Sequence, residues 1–181
     1  MQNKIIKFQN FVKNIVKNFF NNKKILGYVL YALNIIFLDR ITKYIALYCH
    51  EIYFAPFQRL LHLPPIKNYG MSFNLFFITQ ENFIFFLRII GICITFYFYK
   101  RAVQKYNENK DIFAEVTIIA GAIGNLIDRF YYSFVIDFIF FTFPFSNFIA
   151  IANIADFAIT LGCTHLILKT FIEDMMRQPK R

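Results

Sequence analysis

Serine, histidine and cysteine are scarce in this chain, and where they occur their spacing carries no chemistry. The serines are Ser72, Ser133 and Ser146, none of them in a Gly-x-Ser-x-Gly elbow, and His50, His62 and His165 form no His-Glu-x-x-His pair. The usual serine hydrolase and zinc protease patterns are therefore excluded. Cys49, Cys93 and Cys163 lie far apart, each within or beside an apolar stretch and without Cys-x-x-Cys or Cys/His spacing, so neither a disulfide framework nor a zinc site is indicated. Charge is thin as well, at 17% of residues with only 11 acidic side chains against 20 basic ones. The net charge of +9 does not point to nucleic acid, because the lysines and arginines cluster between long apolar runs instead of covering a surface. No internal repeat divides the chain into the two similar halves of many transporters.

What the chain has is apolar length. Its hydrophobic content is 57% and its mean hydropathy +0.44, above the level of an ordinary soluble domain. A window of about 19 residues, enough to cross roughly 30 Å of hydrocarbon, picks out four spans at 25–48, 82–99, 112–132 and 148–170. Basic residues precede the first span (Lys4, Lys7, Lys13, Lys17, Lys23, Lys24), separate the second from the third (Lys100, Arg101, Lys105, Lys110) and follow the fourth (Lys169, Arg177, Lys180, Arg181). The positive-inside bias then predicts cytoplasmic termini and outward-facing segments at 49–81 and 133–147. The stretch before residue 25 is too long and polar for a typical cleaved signal peptide, so the first span is expected to be retained. Ile5, Ile6, Phe8, Phe11, Val12, Ile15 and Val16 give residues 1–24 the pattern of a basic amphipathic surface helix, suited to anionic lipid. Residues 25–172 form the membrane domain and 173–181 a basic tail. Pro56, Pro64 and Pro65 break helix in 49–81, where Tyr53, Phe54, Phe57 and Leu60 favour short strands. The segment 133–147 is too short to cross and is expected to lie along the interface. The expected fold is an all-α polytopic membrane protein with four transmembrane helices and a small outer-face β element.

Ionisable groups inside such spans are costly, and each is a candidate for function. Asp39 and Lys43 are four residues apart and share a helix face, close enough to pair. In the third span Asn125, Asp128 and Arg129 follow the small-residue run 120–124; Gly121, Asn125 and Asp128 share a face, with a packed seam and a local ion pair as the plain alternative. Asn153 and Asp156 share a face of the fourth span, and no basic residue lies within a helical turn of Asp156. Asp137 sits among Val, Ile and Phe in "FVIDF", again without a cation near it in sequence. At 1.5 Å per residue, Asp39 and Asn125 lie about 20 Å up their helices and Asp156 about 12 Å down its own. These groups are thus expected to converge near the outer interface, whereas a proton- or ion-coupled transporter, the alternative reading, would spread them across the bilayer.

Two neighbouring carboxylates cannot both ionise easily, so one keeps a proton while the other acts as base toward water. That is the chemistry of an aspartyl peptidase. A Ser–Lys dyad of Lys43 with Ser133 or Ser146 would leave Asp137 and Asp156 unexplained.

The motifs themselves resemble those of lipoprotein signal peptidases, the signal peptidase II family. "LDRITK" (38–43), "NYGMSF" (68–73), "GAIGNLIDR" (121–129), "FVIDF" (134–138) and "ANIAD" (152–156) resemble five boxes of that family, in order. The last departs from the usual pattern, with Ala152 before Asn153 and Phe157 after Asp156. The resemblance implies that Asp137 and Asp156 are the catalytic pair. It implies that Asn68, Gly70, Asn125, Arg129 and Asn153 line or support the site, and that Asp39 and Lys43 orient the first helix beside it. It further implies no metal or organic cofactor and a multi-pass inner-membrane location. The implied partner is a prolipoprotein whose Cys carries a diacylglyceryl group, cut immediately before that Cys.

Overall fold

The computed structural model describes residues 22–48, 65–70, 80–142 and 149–177. Over these residues the chain forms helix α1 (Lys23–Tyr48), strand β1 (Ile66–Asn68), helices α2 (Gln80–Asn107) and α3 (Phe113–Tyr131), strands β2 (Val135–Asp137), β3 (Ile139–Thr142) and β4 (Ile149–Ala152), and helix α4 (Ile154–Arg177). The expected amphipathic helix in 1–24, most of the 49–81 segment and the end of the tail lie outside the described residues.

Three helices, Lys23–Tyr48, Glu81–Asn107 and Ile154–Met176, are long and apolar enough to cross a membrane. Their apolar side chains point outward: Leu30, Leu33 and Phe37 on α1, Phe85, Phe86 and Phe96 on α2, and Ile167 and Phe171 on α4 are exposed. What α1 buries is Asp39 and Lys43. This inverts the usual soluble arrangement, and hydrocarbon is the surrounding that favours it: lipid accommodates the aliphatic faces, while charges must find one another inside.

Helix α3 differs in kind. It has 19 residues, about 28 Å of rise, and carries Glu115, Asp128 and Arg129. Its buried residues run along most of its length, including Ala114, Ile118, Ala120, Gly121, Gly124 and Leu126, because it packs against α1, α2 and α4 together. The expected third span at 112–132 is therefore a central helix enclosed by its neighbours. Its small residues permit that enclosure. A Cβ on Gly121 would run into the Ala155 carbonyl of α4, and one on Gly124 would lie 2.9 Å from Asp39 Oδ2 of α1 and 3.1 Å from Ala155 Cβ.

The strands are short and pair antiparallel in two separate two-stranded units. In the first, Ile66 faces Asp137, Lys67 faces Ile136 and Asn68 faces Val135. In the second, Ile139 faces Ala152 and Thr142 faces Ile149. The β4 pairing moves the start of the last helix from the expected position near 148 to Ile154. The segment 133–147, expected to lie along the interface, contains β2 and β3. A tight turn delivers it: the Tyr132 N–H donates to the Asp128 carbonyl at 2.7 Å, and Ser133 takes a left-handed conformation with φ of 63°.

Candidate active site

Asn68 ends β1, and its side chain faces two ways. Its Oδ1 accepts the Gly70 N–H at 2.7 Å, closing an Asx turn, and its Nδ2 donates to Asp137 Oδ2 at 2.8 Å. Gly70 is required there. Its φ is 74°, and a Cβ would sit 2.6 Å from Leu87 Cδ1.

Asp137 ends β2 and is almost wholly buried, at 2% exposure. Its second oxygen, Oδ1, accepts Asn153 Nδ2 at 2.7 Å. Burial pushes its carboxyl up to about 6 from an ordinary 3.8, and the charge of Asp156 adds to the rise, while the Asn68 and Asn153 hydrogen bonds and the charge of Lys43 oppose it.

Asn153 and Asp156 cap α4 reciprocally. Asn153 Oδ1 accepts the Asp156 N–H at 2.9 Å, and Asp156 Oδ2 accepts the Asn153 N–H at 3.2 Å, the geometry of a capping box with Asn and Asp in place of Ser and Glu. The remaining Asp156 oxygen, Oδ1, accepts Asn125 Nδ2 from α3 at 2.7 Å. Asn125 Oδ1 in turn accepts Asn153 Nδ2 at 3.1 Å and Lys43 Nζ at 3.0 Å. Two asparagines, Asn125 and Asn153, thus connect the two aspartates, one from β2 and one from α4, and every donor named on either is a neutral amide or backbone N–H. Among the described residues neither carboxylate is in an ion pair.

Lys43 and Arg40 are occupied elsewhere. Asp39 and Lys43 pair at 3.0 Å as their spacing suggests, but within a larger cluster: Lys43 also meets Asp128 at 2.7 Å, and Arg40 bridges Asp39 and Asp128 at 2.6 Å each. Arg40 also donates to the Gly124 carbonyl at 2.9 Å. Asp39 Oδ1 accepts the Ala155 N–H at 3.0 Å, satisfying another open donor at the start of α4, and Asp128 Oδ2 accepts the Ile136 N–H at 3.2 Å. The ion-pair partners of Asp128 are therefore on α1, not its neighbour Arg129. Arg129 lies within electrostatic reach of Asp156, Asp128 and Asp137; its carbonyl accepts the Arg88 guanidinium.

Arg40, Arg88 and Glu115 were not foreseen, Arg88 and Glu115 because each is a single charge inside an apolar run. Arg40 was findable, since it stands beside Asp39 in "LDRITK" and an unpaired arginine at that depth needs an anion. Glu115 qualifies the expected convergence of acids. It lies in the first turn of α3, at the opposite end from Asp128, where Arg101 at 2.8 Å and Lys105 at 2.6 Å neutralise it.

Two carboxylates joined through a hydrogen-bonded asparagine network, one of them buried with its carboxyl raised, are suited to activating water against a carbonyl. Comparison with known proteins agrees with that class. The family model for signal peptidase (SPase) II matches residues 31–172. The lipoprotein signal peptidase of Bartonella henselae is 33% identical over 123 residues, covering 68% of this chain and 72% of that protein. The lipoprotein signal peptidase of Clostridium tetani is 33% identical over 141 residues, covering 77% and 88%. A solved structure of a bacterial membrane enzyme aligns with a TM-score of 0.62 at 25% identity, over 87% of this chain and 94% of that one. A second aligns with a TM-score of 0.62 at 27% identity, over 81% and 93%. With the match running from within α1 into α4 and spanning every element of the site, the chain belongs to the signal peptidase II family and is a membrane protease that removes signal peptides from prolipoproteins.

Proposed function

We propose that the protease is an aspartyl endopeptidase that cuts immediately before a Cys already bearing a diacylglyceryl group, with Asp137 and Asp156 as its catalytic carboxylates. The observation that carries this reading is their shared setting: two carboxylates linked through Asn125 and Asn153, with the buried Lys43 and the partly exposed Arg40 committed to Asp39 and Asp128. An ion pair on either would quench it as a base or fix its proton.

In this reading Asp137 holds the shared proton, since its carboxyl is pushed up to about 6 by burial. Asp156 takes a proton from water as the water oxygen attacks the scissile carbonyl carbon. Asp137 hydrogen-bonds the carbonyl oxygen as charge develops there and then protonates the leaving amine as the C–N bond breaks. Asn68 and Gly70 fix the orientation of Asp137, Asn125 and Asn153 that of Asp156, and Arg129 lines the site. Asp39 and Lys43 hold α1 against it. No metal or organic cofactor enters this scheme.

The membrane setting proposed with it has four crossing helices, the fourth being α3, with both termini cytoplasmic and the strands at the outer face of a bacterial inner membrane. The distribution of Lys and Arg supports that orientation. Pairing of Glu115 and Asp128 supports a membrane position for α3, because it removes the cost that their charges would carry there. The basic segment 1–24 would rest on anionic lipid, and no role with nucleic acid is proposed.

The test is cleavage of a diacylglyceryl-modified precursor peptide by purified variants. Asp137→Asn and Asp156→Asn should each abolish turnover with folded yield near wild type, while Ser133→Ala and Ser146→Ala stay active. Because both aspartates belong to one unit, the double variant should be no worse than either single. Substantial turnover by either Asn variant, with deamidation excluded, would end the two-aspartate reading.

A further inference from the structure

We infer that Lys43 is a positioning residue for the reaction, acting through Asn125 to hold the amide NH2 of that residue against Asp156. The inference rests on the reading of Asp156 as a member of the catalytic pair.

An asparagine amide can be turned by half a revolution with almost no change of shape, exchanging its oxygen and its nitrogen. For Asn125 the two orientations are chemically opposite. As it stands, Nδ2 donates to Asp156 Oδ1 at 2.7 Å; turned over, it would set a carbonyl oxygen against a carboxylate oxygen. The choice is made on the other side of the amide. Asn125 Oδ1 receives two donors, Lys43 Nζ at 3.0 Å and Asn153 Nδ2 at 3.1 Å. The Asn153 donor is shared, because the same nitrogen serves Asp137 Oδ1 at 2.7 Å and approaches the Ile136 carbonyl at 3.4 Å. Lys43 cannot change sides, since an ammonium has three donors and no acceptor. It is 1% exposed, and its other partners, Asp39 at 3.0 Å and Asp128 at 2.7 Å, hold it from two helices. A turned Asn125 would face Lys43 with an NH2 and leave a buried donor opposed to a donor.

The charges surrounding this chain of contacts are Asp39 and Arg40 from α1, Asp128 and Arg129 from α3, Asp137 from β2 and Asp156 itself from α4. Lys43 therefore influences the pair both through its charge and through the amide. The two influences separate in a variant that removes the donor while keeping the cluster neutral. Wild type has Lys43 and Arg40 against Asp39 and Asp128; Asp39→Asn with Lys43→Met leaves Arg40 against Asp128, so the net charge is zero in both.

The experiment is kcat and KM against pH for the full-length enzyme with a diacylglyceryl-modified precursor peptide. In the Asp39→Asn, Lys43→Met variant the acid limb of kcat should move up by about one pH unit, the scale of one lost hydrogen bond to an ionised group. That corresponds to roughly a tenfold loss of kcat on the acid side, recovering as pH rises, with KM unchanged. Lys43→Arg, which keeps a donor and the charge, should retain the wild-type limb. A merely structural Lys43 would lower folded yield and leave the limb of the surviving enzyme in place. Asn125→Leu tests the link through which Lys43 acts, with every charge present, because Leu cannot donate to Asp156; its limb should move by the same amount, and an unmoved one removes that link where the double variant does not accumulate. An unmoved limb in whichever of these folds overturns the inference. Asp156→Asn is measured beside them: turnover in that variant overturns the catalytic reading itself, whereas an inactive Asp156→Asn with an unmoved limb overturns only the role of Lys43.

Discussion

Helix α3 has a buried carboxylate near each end, and the two ends settle the same electrostatic problem differently. At Glu115 a single carboxylate takes two cations, Arg101 and Lys105, both from α2 and four residues apart, and both still partly exposed at 38% and 18%. At Asp128 two carboxylates meet two cations. Asp128 comes from α3 and the other three members from α1; their contacts extend to the Ala155 N–H of α4 and the Ile136 N–H of β2. The first cluster staples one helix pair, and its surplus positive charge can reach solvent. The second is neutral within itself, reaches three helices and a strand, and continues through Asn125 to Asp156. A buried ion pair alone says little about stability or function; the difference lies in what else each cluster touches.

Breaking the Asp128 cluster should have the largest effect. Asp128→Ala leaves Arg40 and Lys43 sharing one carboxylate and strips the Ile136 N–H of its acceptor, and should cost about 3–5 kcal/mol, seen as a collapse of folded yield and thermal midpoint in detergent.

An intermediate effect belongs to Asp137, whose buried carboxyl makes folded stability depend on pH. Well below the ordinary carboxyl value of 3.8, folded and unfolded chains both hold its proton, so the group is neutral toward stability. As pH rises from the ordinary carboxyl value of 3.8 to the folded value of about 6, the unfolded chain ionises first, and folded stability falls by up to about 3 kcal/mol before levelling off. Asp137→Asn cannot ionise. Between pH 4 and pH 7 wild type should therefore lose more of its thermal midpoint than Asp137→Asn does, and equal losses would show that the carboxyl titrates normally.

The smallest effect sharpens the contrast from the other end. Glu115→Gln keeps the shape but weakens both hydrogen-bonded ion pairs, and should cost about 1–3 kcal/mol of stability while leaving kcat and its pH profile as in wild type. A moved pH profile would show that the two ends of α3 are coupled.

How far the sequence foretold this arrangement depended on the range of each contact. Asp39 with Lys43 and Asn153 with Asp156 were readable, because a helix converts a spacing of three or four into proximity. The isolation of Asp156 from local cations was readable for the same reason. The Asn68 contact with Asp137 joins residues 69 apart and depends on the β1–β2 register, which no local pattern specifies. Arg88 was hidden by the apolar run around it, and the enclosure of α3 follows from three-body packing that hydropathy along one segment does not encode. The start of α4 at Ile154 was displaced from the apolar boundary because "IAIA" suits a strand as well as a helix, and its pairing with β3 decides between them.

Under the proposed role of Asp156 as a catalytic carboxylate, the reciprocal cap at the start of α4 has a bearing on inhibition. Asp156 is fixed by the Asn153 N–H, by the Asn125 amide and by the helix that begins there, so its direction is set before substrate arrives. A ligand carrying a tetrahedral hydroxyl in place of the scissile carbonyl would then meet a rigid receptor and lose little free energy to ordering it. Affinity in such a series should follow how faithfully each compound copies the charge and shape of the tetrahedral intermediate, and the first turn of α4 should superpose between free and inhibited enzyme.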